Sequence, residues 1–265
     1  MPRMPVAFVP HAGGPVTHVD LGMPPAEVAA FAAYWRSLRE LLPAPARALL
    51  VISAHWEEAV PTVMSSPAPP MLYDYYGFPP AAYTITWPAP GDPALAARVR
   101  ARLGEAGFAT AEDTARGYDH GTFTPLKQTY PAADVPVVQL SLEAGLDAGR
   151  HLALGRALAP LRDEGVFIVG SGDSFHNLRQ FGAPAAHARS AEFDAWLRGV
   201  VTADAETRDA GLAKWTEGPH ARYCHPREEH LLPLMVVAGA AGSDLVKVTF
   251  HGPFMGTEQT GYHFG

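Results

Sequence analysis

The stretches Val6-Ala7-Phe8-Val9, Leu49-Leu50-Val51-Ile52 and Val166-Phe167-Ile168-Val169 are apolar without alternation. Short runs of this kind predict strands buried on both faces, as in parallel sheets. Val135-Pro136-Val137-Val138-Gln139-Leu140-Ser141-Leu142 predicts another strand. Between these runs apolar positions recur at helical spacing. Val28, Phe31, Trp35, Leu38 and Leu42 form one stripe over residues 25–42, which Pro43 and Pro45 stop. Asp92-Pro93 is a helix start, Leu95, Val99 and Leu103 its buried stripe and Gly104 its stop. Leu152, Leu158 and Leu161 mark a helix over 148–164, ended by Gly165, and Phe193, Trp196, Leu197 and Val200 mark a further one. Residues 202–224 give a weaker, polar, helical signal. His225-Pro226 opens the last clear helix, which runs through Leu231, Leu234, Met235 and Val236 and places His230 about one turn inside. Residues 245–250 alternate like an edge strand, and the polar, aromatic tail 256–265 is assigned no element. The order predicts an α/β fold: a single domain over residues 1–265, with a central mostly parallel or mixed sheet flanked by helices.

Residues 65–90 break the pattern. Pro67, Pro69, Pro70, Pro79, Pro80, Pro88 and Pro90 forbid continuous helix or central strand there. Tyr73, Tyr75, Tyr76, Phe78, Tyr83 and Trp87 are interleaved with them. The segment reads as a long ordered loop, either the wall of an aromatic-lined pocket or a loop pinned to the surface by its own rings.

Composition narrows the function classes. A net charge of -7 without a long basic run makes nucleic acid an unexpected partner. No apolar stretch reaches membrane-spanning length, and the first residues lack the apolar core of a signal peptide, so a cytoplasmic protein is expected. The single cysteine, Cys224, excludes an internal disulfide and a cysteine-based zinc cluster. Any metal must use histidine, carboxylate or water, and the chain carries 12 histidines. Self-association into a homo-oligomer stays open.

Those histidines are placed suggestively. In open α/β sheets, ligands bind beyond the carboxyl ends of the strands. His11 follows the first strand, His55 ends the second, and His176 follows the 166–170 strand through a glycine–serine turn. Three imidazoles at one sheet edge form the arrangement of a metal site, because clustered imidazoles repel one another when protonated unless a metal holds them neutral. His120, between Asp119 and Gly121, lies in a loop from which it can reach such a site, or belongs to a turn whose aspartate bonds its own backbone. Gly170-Ser171-Gly172-Asp173-Ser174 resembles a nucleophile turn but misses the G-x-S-x-G spacing. A Cys224–His225 nucleophile lacks an orienting partner. Neither G-x-G-x-x-G nor a Walker lysine is present.

One ordered set of motifs spans residue 6 to about 240: strand-His11 with Gly13-Gly14-Pro15, Ser53-Ala54-His55-Trp56, Tyr73-Asp74-Tyr75-Tyr76-Gly77-Phe78-Pro79, Asp119-His120-Gly121, Pro136 to Ser141, Gly170-Ser171-Gly172 with His176-Asn177-Leu178-Arg179, and Glu229-His230 with Pro233-Leu234. In these the chain resembles the class III extradiol ring-cleavage dioxygenases, in the branch of the DOPA extradiol dioxygenases. It departs at His11-Ala12-Gly13, where many relatives have His-Gly directly. The resemblance implies a non-haem Fe(II) held on one face by His11, His55 and His230, leaving positions for a catechol and O₂. Glu229 beside His230 is the alternative third ligand, since some relatives use a glutamate. His176 is then the acid–base residue, or a fourth ligand when Zn(II) occupies the site. His120 is implied to stand near the substrate. A zinc-dependent hydrolase and a non-catalytic Memo-like interaction protein are the other readings. Arg116, Lys127 and Arg179 are candidate partners for a substrate carboxylate.

Overall fold

The computed structural model describes residues 2–265. Eight strands form one sheet: β1 (Val6–Pro10), β2 (Ala48–Glu58), β3 (Thr62–Met64), β4 (Ala111–Asp113), β5 (Val137–Glu143), β6 (Val166–Gly172), β7 (Val246–Phe254) and β8 (Thr257–Phe264). Their order is β4-β3-β5-β2-β6-β1-β8-β7. The centre, β5-β2-β6-β1, is parallel, while β3 meets β5, and β8 meets both β1 and β7, antiparallel. The helices are α1 (Pro25–Ser37), α2 (Pro93–Glu105), α3 (His120–Thr129), α4 (Ala148–Leu158), α5 (Ala186–Val201), α6 (Ala205–Ala213), α7 (Ala221–Cys224) and α8 (Leu232–Ala241). The expected α/β fold with a mixed central sheet is the one observed.

The apolar runs are buried on both faces for the reason their patterns suggest. Phe8, Leu50, Ile52 and Ile168 point into a core built with α2, α4, α5 and α8. Ala7, Val9, Leu49, Val51, Phe167 and Val169 point into a second core with α1, α3 and Trp87 of the proline-rich loop. All ten residues of α8 are buried, so this helix is apolar all round. Its close approach to α4 depends on Gly239, where a Cβ would lie 2.0 Å from the Leu152 carbonyl oxygen.

Several boundaries differ from the sequence reading. The helix expected over 25–42 is α-helical only to Ser37 and closes in a 3-10 turn, Leu38–Leu41. The helix expected over 148–164 does the same after Leu158, where Pro160 removes a backbone donor. His225-Pro226 does not open a helix. The proline in the first turn is Pro233, and α8 begins at Leu232. His230 therefore lies in the turn before the helix, its carbonyl accepting from the Asp173 amide at 3.0 Å. His120, expected in a loop, opens α3 behind its N-cap Asp119, whose side chain accepts from the Thr122 amide. The tail is a full strand, β8, joined to β7 through Met255 and Gly256, both at positive φ as tight hairpins require.

Two buried arginines close the far end of α8. Arg162 donates to the carbonyls of Ala240 at 2.8 Å and Ala241 at 3.3 Å, and pairs with Asp244. Arg208 donates to Ala238 at 3.1 Å and Gly242 at 2.7 Å. Cations suit a helix C-terminus, and here they also satisfy its orphan carbonyls. Arg162→Ala is expected to cost roughly 1.5–3 kcal/mol of stability, the worth of charge-assisted hydrogen bonds. Urea unfolding of the variant checks it, with Arg162→Lys recovering only part, because one ammonium cannot replace the guanidinium fork.

Candidate metal centre

β6 is the strand that brings the histidines together. It lies between β1 and β2, pairing Pro10 with Gly172 and Ser53 with Ser171. His11 leaves β1 beside it, its amide donating to the Gly172 carbonyl at 3.0 Å. His55 lies where β2 loses regular pairing with β5, between Ile52 and Glu57. The turn carrying His230 presses directly on β6, and a Cβ at Gly172 would stand 2.1 Å from the His230 carbonyl oxygen. The small residues of Gly170-Ser171-Gly172 thus do not make a turn, as the sequence suggested. They are strand residues that let the His230 segment come close.

His55 Nε2 lies 3.1 Å from His11 Nε2 and 3.3 Å from His230 Nε2. The other ring nitrogens decide what these contacts mean. The Ser171 hydroxyl donates to the Gly121 carbonyl at 2.5 Å, so at its 3.0 Å contact with His11 Nδ1 it must accept. His55 Nδ1 faces Asp74 Oδ2 at 3.3 Å and His230 Nδ1 faces Glu229 Oε1 at 3.0 Å. Each Nδ1 carries its ring's proton, so three bare Nε2 lone pairs face one another. Burial above all, then the neighbouring imidazoles, holds His11 and His230 well below the ordinary imidazole pKa. Burial and then His120 do the same to His55, against the pull of Asp74. Neutral imidazoles with convergent lone pairs are the donor set of a divalent cation. Metal–nitrogen bonds of roughly 2.0–2.1 Å put ligand nitrogens about 2.8–3.4 Å apart between right-angled and tetrahedral geometry. The residues present therefore fit a metal ion.

Two carboxylates each serve two imidazoles. Asp74 reaches His55 Nδ1 through Oδ2 and accepts from His120 Nδ1 through Oδ1 at 2.9 Å. Burial would raise its pKa, but His120 and then His55 bring it down to about 2. Glu229 Oε1 lies 3.0 Å from His230 Nδ1 and 3.4 Å from His176 Nδ1. Burial opposes its ionisation, and contacts from His176 and Arg227 outweigh it. The His176 ring stacks on His230 with centroids 3.3 Å apart, and the His120 ring stands 3.9 Å from that of His55. His176 is grouped with Glu229 and His230 rather than with the His11–His55–His230 set. The five histidines named from the sequence are all brought together. Asp173 adds a buried carboxyl 3.7 Å from His11 Nε2, its pKa pushed well up by burial.

The proline-rich loop forms one aromatic wall. Tyr75 stands 5.7 Å from the His120 ring and packs on Phe78 and Phe123. The Tyr73 and Tyr75 hydroxyls donate to the loop's own Ile85 and Ala82 carbonyls, at 2.6 and 2.5 Å. Phe78 fills the space a Cβ at Gly14 would need, within 2.8 Å.

Of the candidate substrate cations, Arg116 is engaged with the His55 carbonyl and Asp119, and Lys127 with the Thr86 carbonyl. Arg179 is exposed. Ser171 is locked between His11 and Gly121, which removes it as a nucleophile. Burial pushes the Cys224 thiol up to about 12, which removes the cysteine. Sequence reasoning gave no role to Asp74, although it stands within the quoted Tyr-Asp-Tyr-Tyr motif. Glu229 reads from the sequence as an acidic residue at a helix start and as an alternative ligand, not as the partner of two imidazoles.

Residues 5–265 match the family described as the catalytic LigB subunit of aromatic ring-opening dioxygenase. A Beta vulgaris protein named 4,5-DOPA dioxygenase extradiol is 38% identical, covering 94% of this chain and 91% of its own. An Escherichia coli K12 protein of the same name is 34% identical over 96% and 92%. The crystal structure of an uncharacterized protein from Escherichia coli K12 superposes with a TM-score of 0.81 at 30% identity, covering 99% of this chain and 100% of that one. The chain belongs to the LigB family of aromatic ring-opening dioxygenases, enzymes of extradiol ring cleavage.

The shared carboxylates generate a test. Asp74→Asn and Glu229→Gln should each weaken metal affinity about 10–100-fold, the usual worth of a group orienting a ligand imidazole. Competition against a chromogenic chelator measures it. Affinity unchanged within twofold in both would show that the carboxylates do not orient the ligands.

Proposed function

We propose that the protein is a non-haem Fe(II)-dependent extradiol dioxygenase that opens the ring of a catechol-type, DOPA-like substrate with O₂, residues 1–265 acting as one catalytic domain. The observation that carries this reading is the convergence of three Nε2 atoms whose rings each turn Nδ1 to an oxygen of Ser171, Asp74 or Glu229, with two further imidazoles alongside, next to an aromatic wall. Relatives named 4,5-DOPA dioxygenase extradiol support the substrate class.

In this reading His11, His55 and His230 hold the metal. Iron, when bound, supplies open positions that bring catechol and O₂ together and the redox chemistry that Zn(II) lacks. Zn(II) can fill the same nitrogen set after purification, with His176 then able to join as a fourth ligand.

His176 moves the proton. Its Nδ1 faces Glu229, which leaves Nε2 to take a proton from a catechol hydroxyl and later return it. Stacking on His230 restricts the ring to that approach. His120, held through Nδ1 by Asp74, directs Nε2 at a substrate oxygen. Tyr75 and Phe78 orient the aromatic ring and exclude water from one side of the site.

Protein purified anaerobically and reloaded with Fe(II) should consume O₂ with catechols and give yellow ring-opened products. His55→Ala should lose both iron and turnover. His176→Ala should keep its iron and lose about 10²–10⁴-fold in turnover, the range for a positioned acid–base group. His120→Ala should lose less. Iron stoichiometry beside oxygen-electrode rates measures all of this. No O₂ uptake across a broad catechol panel would overturn the reading, and hydrolytic activity with Zn(II) but not Fe(II) would replace it with a metallohydrolase. A His176→Ala protein as iron-poor as His55→Ala would make His176 a ligand.

A further inference from the structure

We infer that Gln259, on β8 and remote in sequence from every histidine of the site, is a positioning residue that sets where the His176 imidazole stands. The inference rests on the reading of His176 as the proton-transfer residue.

His176 leaves β6 on an irregular segment, Asp173-Ser174-Phe175, that belongs to no strand or helix. Such a segment holds its shape only if its buried backbone groups find partners elsewhere. Gln259 provides most of them. Its Oε1 accepts from the Ser174 amide at 3.0 Å, the Ser174 hydroxyl at 3.3 Å and the Phe175 amide at 3.4 Å. Its Nε2 donates to the Phe175 carbonyl at 2.7 Å. One amide side chain thus stands in for a neighbouring strand, on both its donor and acceptor sides.

The opposite side is held by His225, whose Nε2 lies 2.9 Å from the Ser174 carbonyl. Burial brings the pKa of that imidazole down to about 4, so at neutral pH it is uncharged and donates through Nε2. The Asp173 amide donates to the His230 carbonyl at 3.0 Å and the His176 amide to the Cys224 carbonyl at 3.1 Å. Gln259, His225, Ser174 and Phe175 are all buried, so no water competes for these groups.

The burial of Gln259 has no apolar rationale. A buried amide is stabilised only by its hydrogen bonds, and an apolar residue of the same shape would serve β8 as well. All of its polar contacts go to the two residues immediately before His176. A proton-transfer residue must be placed to within a fraction of an ångström, and about 1 Å of displacement costs on the order of 10²-fold in rate. The Gln259 side chain makes no hydrogen bond to His11, His55 or His230; its bonds go to the residues that lead directly into His176, so its first effect is on where His176 stands.

The test uses the full-length, iron-loaded enzyme. Gln259→Met keeps the volume and removes all four hydrogen bonds. Its expected signature is a kcat lowered about 10–100-fold, with iron content and KM unchanged within twofold. Gln259→Glu, which keeps an acceptor but not the donor, should fall between. In the His176→Ala background, Gln259→Met should add nothing further, since residues acting through one group are not additive. In the metal-free protein, imidazole nitrogen NMR should show the His176 signals shifted or broadened and those of His11, His55 and His230 in place. That last arm needs no turnover. If the wild type cleaves no catechol, the functional reading fails while this arm still decides the placement of His176.

Should Gln259→Met not fold, His225→Phe puts the same question from the other side of the segment, with the same expected signature. Loss of iron in either variant, additivity with His176→Ala, unmoved His176 resonances, or failure of both variants to fold would each overturn the inference, showing general scaffolding instead.

Discussion

Three nitrogens with lone pairs directed at one another, 3.1 and 3.3 Å apart and two of them on buried rings, repel one another until something positive stands between them. A proton would satisfy one pair only, and burial makes even that expensive. A divalent cation satisfies all three. Much of the local architecture follows from this constraint. Gly172 is a glycine because the His230 segment must lie against β6. Ser171 is a serine because the inner face of that strand must accept the Nδ1 proton of His11 and pass a hydrogen bond on to α3. Asp74 and Glu229 keep the remaining ligand protons on the outward nitrogens.

The parallel centre of the sheet supplies the rigidity this needs. The ladder of β1 with β6 fixes His11, whose amide continues it to Gly172, whereas His55 lies two residues past the last β2–β6 pair and takes a further restraint from Asp74. His230, His120 and His176 come from less regular places and are each tied by extra contacts. His230 is held by the backbone bond to Asp173, His120 by Asp74 at both its amide and its ring, and His176 by the satisfied segment before it. The more irregular the delivery, the more buried hydrogen bonds surround it.

That division also explains what the sequence revealed. Strand-borne His11 and His55 follow unmistakable apolar runs, and the α/β order of elements was plain from their alternation. The sequence places His230 about one turn inside a helix because Pro226 and the acidic Glu228-Glu229 imitate a helix start. The segment instead wraps under β6, and only Pro233 begins the helix. β8 carries no strand signal in the sequence because Thr257-Glu258-Gln259-Thr260 is a continuous polar run without apolar alternation, and such runs read as facing water. Here Thr257, Gln259 and Thr260 are buried because they serve the loop before His176 and the hairpin rather than an apolar core. Asp74 was hidden in a loop with no periodicity, where no local signal separates a carboxylate in solvent from one shared by two imidazoles.

The shared carboxylates carry a further consequence for how such a site can change. Asp74 joins a metal-facing imidazole to one beside it, and Glu229 does the same on the other side. A substitution at either therefore disturbs metal affinity and proton chemistry together, and neither can be tuned there alone. The hydrogen bonds around His176 are different, because Gln259 and His225 reach only its approach segment. The tautomer of each ligand histidine is set by a group from another part of the chain: Ser171 of β6 for His11, and Asp74 of the proline-rich loop for His55. Glu229 alone is local, and it is itself anchored by Arg227, which pairs with Glu57 beyond the end of β2's regular pairing. The donor set therefore comes into being only when the whole tertiary structure is in place. Metal binding in this fold is a property of the completed sheet and its coverings, not of any stretch of sequence that carries the ligands.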